Sequence, residues 1–418
     1  RALVCVLLAG GNDSYNMLVP VDNDQFAEYQ AIRSDLALEQ SSLLALPGTA
    51  ANGRNYGLHP GMPELQSLFS NGDAAMIANV GTLLEAFDAQ AVANGTARLP
   101  LGLFSHADQI NQWQTAAPNA RIAQGWGGRV ADVMQDVNVA NGVSMNISLS
   151  GSNVFQSGNT VGEYSIEATG DGAPGIANYD DGTDYGVLKK RMVDDLLAVQ
   201  QSHIFRREYS RRLRVAIDAQ AVFVDALQTS PQLTTPFSPG YFSQALRQIA
   251  RVIGARDALG ARRQTFFVTV GGWDHHDDVL DNQANMLPAI SRGLGEFRDA
   301  LGELGVFDNV TTFTTSDFGR TLTSNGKGSD HGWGGHHIVM GGAVNGANIY
   351  GDYPLLSPSS PLDVGRGVYA PTTSVDEYFA ELALWFGVPV SELDQVLPNV
   401  RSFYSPGSAQ TPIGFLST

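Results

Sequence analysis

The sequence predicts an α/β protein built on an open, largely parallel sheet, and three observations support this prediction. Residues 2–9, ALVCVLLA, form a continuous apolar run that leads into a Gly-Gly turn, which is typical of a central strand buried on both faces. A helical segment, PELQSLFS, with an Asn-Gly stop leads to a second apolar strand, AAMIANVG, and this order is that of a β-α-β unit. The same alternation returns in the second half, where the run TFFVTV, a helix and the run VTTFTT follow one another.

The segment between residues 107 and 260 is mixed. Residues 140–186 are rich in Gly, Asn, Ser and Asp, which indicates short strands and loops, and charged amphipathic helices are predicted at about 188–228 and 240–260. We therefore expect a single domain over residues 1–418, with a loop-rich and helical insertion at about 130–260.

The rest of the second half is predicted element by element. Apolar residues at helical spacing predict a helix at about 283–304, and HIVMGG predicts a strand after a glycine-rich loop. Near the C-terminus, SVDEYFAELALWFG predicts a helix that begins with a capping box between Ser374 and Glu377 and ends at Gly387.

Composition excludes several classes of protein. The chain of 418 residues is 43% hydrophobic, enough for a large core, and it carries 25 Lys and Arg against 42 Asp and Glu, a net charge of −17. This charge argues against binding to nucleic acid or to an anionic membrane surface. The single cysteine, Cys5, lies in the first apolar run, so neither an internal disulfide nor thiol catalysis is expected. No apolar stretch reaches the roughly 18 residues of a membrane span, and the start on a core strand suggests an exported protein whose leader was removed.

Three of the predicted strands end in acidic or histidine-bearing loops. Asp13 follows the first strand, GGWDHHDD with Asp274 and His276 follows TFFVTV, and Asp317 follows VTTFTT. Because the carboxyl ends of parallel strands meet at one edge of a sheet, we expect these side chains to converge there. Each residue taken alone is also consistent with a solvated loop or a helix cap.

A divalent metal site is the sharper interpretation of this convergence. Its predicted ligands are the four residues above and the histidine of the later motif SDHGWGGHH: Asp13, Asp274, His276, Asp317 and His331. In extended chain, Asp274 and His276 face the same way and can share one ion. The ligand types favour zinc or manganese, and calcium remains an alternative because carboxylates are numerous.

Three further residues are candidates for catalysis. Ser105 immediately precedes a predicted helix, where backbone N–H groups and the helix dipole favour an anion, so it could act as nucleophile or simply cap the helix together with Asp108. His106 could contact substrate or cap the same helix. Arg320 could bind a phosphate or sulfate oxygen through its planar fork, or form a salt bridge to one of the many acids.

The motifs resemble a known bacterial family. LLAGGNDSYNMLVP, LHPGMPELQSLFSNGDAAMIANVG, SHADQINQWQ, GWGGRVAD, GGWDHHD, TSDFGRTLTSNGKGSDHGWGGHHIVMGG and GDYP, spread over residues 3–355, are similar to domain-of-unknown-function family 1501 (DUF1501) of the alkaline phosphatase and sulfatase superfamily. The resemblance implies an α/β/α sandwich around one mixed, largely parallel sheet. It also implies export to the periplasm or the extracellular space, often with a twin-arginine signal.

The resemblance extends to individual site residues. Members of the superfamily use a strand-end aspartate that Asp13 resembles, a nucleophile at a helix N-terminus that Ser105 resembles, an Asp-His pair like Asp274 and His276, and a late histidine like His331. The chain departs from the pattern where many members have Asp-His, because Asp317 is followed by a phenylalanine, which puts a two-metal site in doubt. The absence of Cys-x-Pro-x-Arg around Ser105 gives no support to formylglycine chemistry.

Two hypotheses of function follow. The first is an exported metal-dependent hydrolase of phosphate or sulfate esters in which Ser105 attacks, with Ser14 as a rival nucleophile. The second is a non-catalytic exported binding or surface-associated protein that keeps the fold and a structural metal. The sequence leaves the substrate and the number of assembled chains open.

Overall fold

Strands and helices alternate along the chain in the computed structural model, which describes residues 1–48, 50, 52–170, 172–357 and 359–417. The strands are β1 (Ala2–Ala9), β2 (Leu18–Pro20), β3 (Leu44–Ala45), β4 (Tyr56–Leu58), β5 (Ala74–Gly81), β6 (Asn146–Ser148), β7 (Tyr164–Ser165), β8 (Gln264–Gly271), β9 (Val310–Ser316), β10 (Arg320–Ser324), β11 (Ser329–His331), β12 (Gly335–Met340), β13 (Ile349–Tyr350) and β14 (Thr373–Ser374). The helices are α1 (Asn23–Arg33), α2 (Pro63–Ser70), α3 (Ala89–Ala93), α4 (His106–Thr115), α5 (Trp126–Val133), α6 (Asp184–Ala198), α7 (Ile204–Thr229), α8 (Tyr241–Gly254), α9 (Val279–Glu303), α10 (Val375–Phe386) and α11 (Leu393–Val396).

The central sheet is mixed and largely parallel. Its strand order is β13-β5-β12-β9-β1-β8-β6-β7, and β14 also pairs with β5. Every pairing of this sheet in the described part of the chain is parallel except those of β12, which runs antiparallel to β5 and β9. Two small sheets, β10-β11 and β2-β4-β3, lie outside it.

Helices cover both faces of this sheet. In β1 the alternate residues Val4 and Val6 pack into a core with α2, α8 and α9, whereas Leu3 and Cys5 pack into a second core with α5 and α10. A strand that is apolar at every position is what such a two-sided burial requires. The predicted three-layer α/β/α fold is therefore confirmed.

Local patterns predicted the elements well and their limits less well. The capping box of Ser374 and Glu377 is present in α10, and Gly387 ends that helix in the left-handed conformation with φ of 117°. The helix expected at about 283–304 begins earlier, at Val279. The charged helical segment expected at about 188–228 is interrupted, so that α6 and α7 are two helices.

The segment predicted as an insertion contributes both to the sheet and to the surface. Its strands β6 and β7 extend the sheet beyond β8, and α8 packs against β8 and α9. The single-domain organisation stays a prediction. Among the described helices, none has both the length and the hydropathy to cross a membrane.

Candidate metal centre

The loops that follow three neighbouring strands start at the same edge of the sheet. Strand β1 lies between β8 and β9, and its last residues are level with theirs, since Ala9 pairs with Gly271 and Leu8 with Ser316. The convergence of strand ends predicted from the sequence is thus present, and it brings the loops of residues 10–14, 272–276 and 317–319 together.

Glycine is required where two of these loops meet. Gly10 has a φ of 122°, a conformation that other residues rarely adopt, and a Cβ at this position would lie 2.5 Å from the backbone nitrogen of Asp274. The close approach of the β1 loop to the β8 loop positions the carboxylate of Asp274 at the edge of the sheet.

Three imidazoles surround Asp274. Its Oδ1 lies 3.0 Å from Nε2 of His276 and 3.4 Å from Nε2 of His331, and its Oδ2 lies 3.5 Å from Nε2 of His106. The Nε2 atoms of His276 and His331 are themselves 3.0 Å apart. Ligand atoms of His106, Asp274 and His331 all lie within 4.8 Å of one another, the spacing of groups that can share one cation. We call Asp274 and the three histidines, His106, His276 and His331, the metal cluster.

The other ring nitrogen of each histidine is committed to an oxygen. Nδ1 of His106 lies 2.6 Å from Oδ2 of Asp317, Nδ1 of His276 lies 3.3 Å from Oδ1 of Asp330, and Nδ1 of His331 lies 2.8 Å from the carbonyl oxygen of Phe104.

The carbonyl oxygen of Phe104 only accepts, so in a neutral His331 Nδ1 carries the proton and Nε2 presents a lone pair. A carboxylate oxygen also accepts, and it orients His106 in the same way. Nε2 of His106 is buried and has no hydrogen-bond partner among the described residues. Oxygens that contact the far nitrogen of a ligand imidazole and orient its ring are typical of metal sites. The donor set fits zinc.

Charge in the cluster favours the ligating forms. Burial raises the pKa of Asp274, but the hydrogen bond and the charge of Arg320 outweigh it, so the carboxyl pKa lies below its ordinary value. Burial also lowers the pKa of His331, which favours the neutral ring. The ionised carboxylate and the neutral imidazole are the forms that bind a metal ion.

Arg320 holds the backbone of the site and is not available to an anion. The side chain is fully buried, and its guanidinium donates to Asp274 and to four carbonyl oxygens, those of Gly10, Gly11, Trp273 and Ser329. The expected catalytic contact between Arg320 and a phosphate or sulfate is therefore corrected, because the fully buried guanidinium faces these acceptors within the protein. Arg320 positions Asp274.

Asp317 reaches the cluster through His106. Its Oδ2 faces Nδ1 of His106 and its Oδ1 accepts from the backbone N–H of Gly10 at 3.0 Å, and the side chain is 1% exposed. The structure therefore places Asp317 behind a candidate ligand, whereas the sequence predicted Asp317 itself as a ligand. Asp330, whose Oδ2 pairs with Arg366 at 2.8 Å, supports His276 in the same way.

Asp13 is not in the metal cluster. Its Oδ2 forms a fully buried ion pair with Arg33 at 2.7 Å and accepts from the hydroxyl of Ser329 at 2.7 Å, and its Oδ1 has no hydrogen-bond partner in the described part of the chain. The expectation of Asp13 as a ligand beside Asp274 is corrected on this ground. Its strand end is at the right edge of the sheet, but its charge is compensated by an arginine from α1.

Ser105 lies between two residues tied to the metal cluster. Phe104 offers its carbonyl to His331, Ser105 is the N-cap of α4, and His106 is in the cluster itself. The Ser105 hydroxyl caps no backbone N–H of the helix, but its side chain hydrogen-bonds to Asp108, which also pairs with Arg121 at 2.5 Å. Phe104 has a φ of 73°, an outlier for an aromatic residue and a kind of strain that accumulates at functional sites.

The rival nucleophile Ser14 is enclosed by protein. It is 1% exposed, and its hydroxyl accepts from the backbone N–H of His336 at 2.8 Å. His336 and His337 are core residues of β12, and burial lowers the pKa of each to about 3.

Phe318 occupies the place after Asp317 where an Asp-His pair would put a further imidazole. Its buried ring packs against those of His106 and His331, with centroids 4.8 Å and 4.6 Å away. The described residues contain one group of potential ligands of this kind.

Sequence reasoning missed the ligand position of His106 and the support given by Asp330. His106 was assigned to substrate or to capping because it begins a helix, and the only available signal was its place beside Ser105 in SHAD. Asp330 was visible as the neighbour of His331, in an Asp-His dipeptide that comes later in the chain than the resemblance suggests.

A family model described as "Protein of unknown function (DUF1501)" matches residues 188–393, nearly half of the chain. The chain carries a DUF1501 region. This region contains Asp274, His276 and His331 of the metal cluster, and His106 and Ser105 lie before it. No curated protein matches the sequence.

Solved structures resemble this chain distantly. The PsFucS1 sulfatase from Pseudoalteromonas sp. has a TM-score of 0.39 and 10% identity over 99% of this chain and 72% of that one. Ps i-CgsB in complex with k-i-k-neocarrahexaose has a TM-score of 0.34 and 11% identity over 94% and 73%. The phosphonate monoester hydrolase of Agrobacterium radiobacter has a TM-score of 0.29 and 13% identity over 93% and 74%.

Proposed function

We propose that this protein is a metal-dependent hydrolase of phosphate or sulfate esters. The observation that carries the proposal is the convergence of three imidazole Nε2 atoms on Asp274, next to a serine at a helix N-terminus.

Zinc is the ion that the donor set favours. His106, Asp274, His276 and His331 would hold it, and three nitrogen donors with one carboxylate suit zinc better than calcium, which prefers oxygen. Manganese remains an alternative. When bound, the ion supplies positive charge that stabilises the charge developing on the transferred group.

Ser105 is the proposed nucleophile. Its oxygen attacks the phosphorus or sulfur in line, the new bond to Ser105 forms as the ester bond to the alcohol breaks, and the alcohol leaves with a proton. Water then releases phosphate or sulfate from the serine. The first backbone N–H groups of α4 follow Ser105 and favour an anion there, which is needed because Arg320 is fully buried.

The test compares serine variants of the zinc-loaded protein with 4-nitrophenyl phosphate and 4-nitrophenyl sulfate. Ser105→Ala is expected to lower kcat by about 10³-fold or more while zinc content is unchanged. Ser408→Ala, an exposed serine far along the chain, is the matched control. Retained turnover in Ser105→Ala would reject this nucleophile, and no turnover of any ester by the zinc-loaded wild type would favour the non-catalytic binding protein.

Export is part of the proposal and is supported by the resemblance to an exported family. Periplasmic or extracellular recovery of the native gene product in a cell fractionation is the expected result. Recovery with cytoplasmic markers would contradict it.

A further inference from the structure

An apolar cavity opens beside the metal cluster. It has a volume of about 600 Å³, and His276, Asp330 and His331 are among the residues that line it. The walls are mainly apolar side chains from three segments of the chain, and we call them the cavity wall: Leu99, Leu103, Phe104, Trp333, Val364 and Val368. An engineered apolar cavity of about 150 Å³ holds benzene, so this space is large enough for a sizeable apolar group.

The cavity wall belongs to a hydrophobic cluster separate from the two cores of the sheet. Trp333 and Val368 are its buried members, and Leu103 and Val364 pack against them. Leu99 and Phe104 are 46% and 37% exposed, which leaves apolar surface facing the opening. Exposed apolar groups gathered around a concave site are typical of a ligand-binding surface.

Most polar groups around the cavity have partners within the protein, and Arg366, which also lines it, pairs with Asp330 through Nη2 while its side chain stays 82% exposed. Trp333 donates its indole N–H to the carbonyl of Thr82 at 2.9 Å, and the Thr321 hydroxyl donates to the carbonyl of Thr323 at 3.0 Å. Asp330 is bound by Arg366 and faces His276. A sugar hydroxyl placed against the cavity wall would leave water and meet only apolar side chains, which costs free energy, whereas an alkyl or aryl group placed there gains by leaving water.

We propose that the alcohol part of the substrate is apolar, so that the enzyme acts on alkyl or aryl esters of phosphate or sulfate. The inference rests on the proposed function, because it uses Ser105 and the metal cluster to hold the anionic end. Phe104 links the two ends of the site, since its side chain lines the cavity and Ser105 follows it.

A series of alkyl phosphates tests the inference without changing the reactivity of the leaving group. For the zinc-loaded full chain, kcat/KM is expected to rise about threefold per methylene from methyl to butyl to hexyl phosphate, and glucose 6-phosphate is expected to react more slowly than hexyl phosphate. If the protein prefers sulfates, the alkyl sulfates form the series. A kcat/KM that changes less than twofold from methyl to hexyl overturns the inference and leaves the proposed function standing.

Variants of the cavity wall supply a second arm. Leu99→Asn and Val364→Asn, both at partly exposed positions, are expected to flatten the dependence on chain length. Val390→Asn, a comparably exposed valine outside the cavity, is the matched control and is expected to keep the dependence. An unchanged slope in both wall variants overturns the inference.

Binding of non-hydrolysable analogues separates the inference from the proposed function. Calorimetry with methylphosphonate and hexylphosphonate is expected to show tighter binding of the longer chain, by about threefold per methylene. If hexylphosphonate binds in this way while no ester is turned over, the apolar site stands and the hydrolase proposal falls. Equal binding of the two phosphonates overturns the inference whatever the turnover.

Discussion

Nδ1 of His106 lies 2.6 Å from a carboxylate oxygen of Asp317, which is almost fully buried. This contact fixes the ring so that Nε2, which has no other partner among the described residues, faces Asp274. A histidine held by a buried carboxylate is a pre-oriented ligand, and the predictions below follow from how the site is held.

Replacement of Asp317 by asparagine is expected to weaken zinc binding by about 10- to 100-fold, because the amide no longer supplies a charged acceptor for His106. Competition with a chromophoric zinc chelator measures the change. Asp394→Asn, which breaks an exposed pair with Arg401, is the control. Unchanged affinity in Asp317→Asn would show that this carboxylate does not orient a ligand.

Removal of any one imidazole of the metal cluster is expected to lower the zinc content of protein dialysed against limiting zinc. His106→Ala, His276→Ala and His331→Ala should each bind well below one equivalent, because each removes a nitrogen donor. Elemental analysis gives the stoichiometry. His203→Ala, at an exposed N-cap of α7, should keep the wild-type content, and a loss of zinc there would point to a different site.

Asp13→Asn separates a structural role from a ligand role. The substitution leaves Arg33 charged and buried without its partner, so we expect a loss of roughly 3 to 5 kcal/mol in the free energy of unfolding, measured by denaturant titration. Zinc stoichiometry at a temperature where the variant is folded is expected to equal that of the wild type. Lost zinc binding with little loss of stability would return Asp13 to the ligands.

Asp376 is expected to make stability depend on pH. Burial raises the pKa of its carboxyl to about 7, and only Asn399 donates to it at hydrogen-bond distance in the described structure. Because the folded pKa lies above the unfolded one, its favourable contribution is complete below about pH 4 and is lost as pH rises through 7.

The Asp376→Asn variant removes this dependence. The difference in free energy of unfolding, variant minus wild type, should rise by roughly 4 kcal/mol at most as the pH is raised from 4 to 8. Denaturant titrations at both pH values measure it. Asp257→Asn, at an exposed position, serves as the control. A wild type and an Asp376→Asn variant with parallel pH profiles would contradict the prediction.

Patterns in the sequence were sufficient for the elements that carry the site. The run ALVCVLLA is apolar at every position because both faces of β1 are covered, and that signal is local. The strand-end position of Asp274 followed from the same rule. By contrast, nothing local indicated that β12 runs antiparallel between β5 and β9, because strand direction depends on how the connecting loops are packed.

The sequence by itself determined the α/β fold and the edge of the sheet where acids and histidines gather, since apolar periodicity and strand-end loops are properties of neighbouring residues. Only the tertiary structure decided which of those groups lie close enough together to bind one ion. It pairs Asp13 with Arg33, buries Arg320 against backbone carbonyls, and brings His106 in from α4. A hydrogen-bonding group has a limited number of partners, and the packing of remote segments decides which partners lie within hydrogen-bond distance.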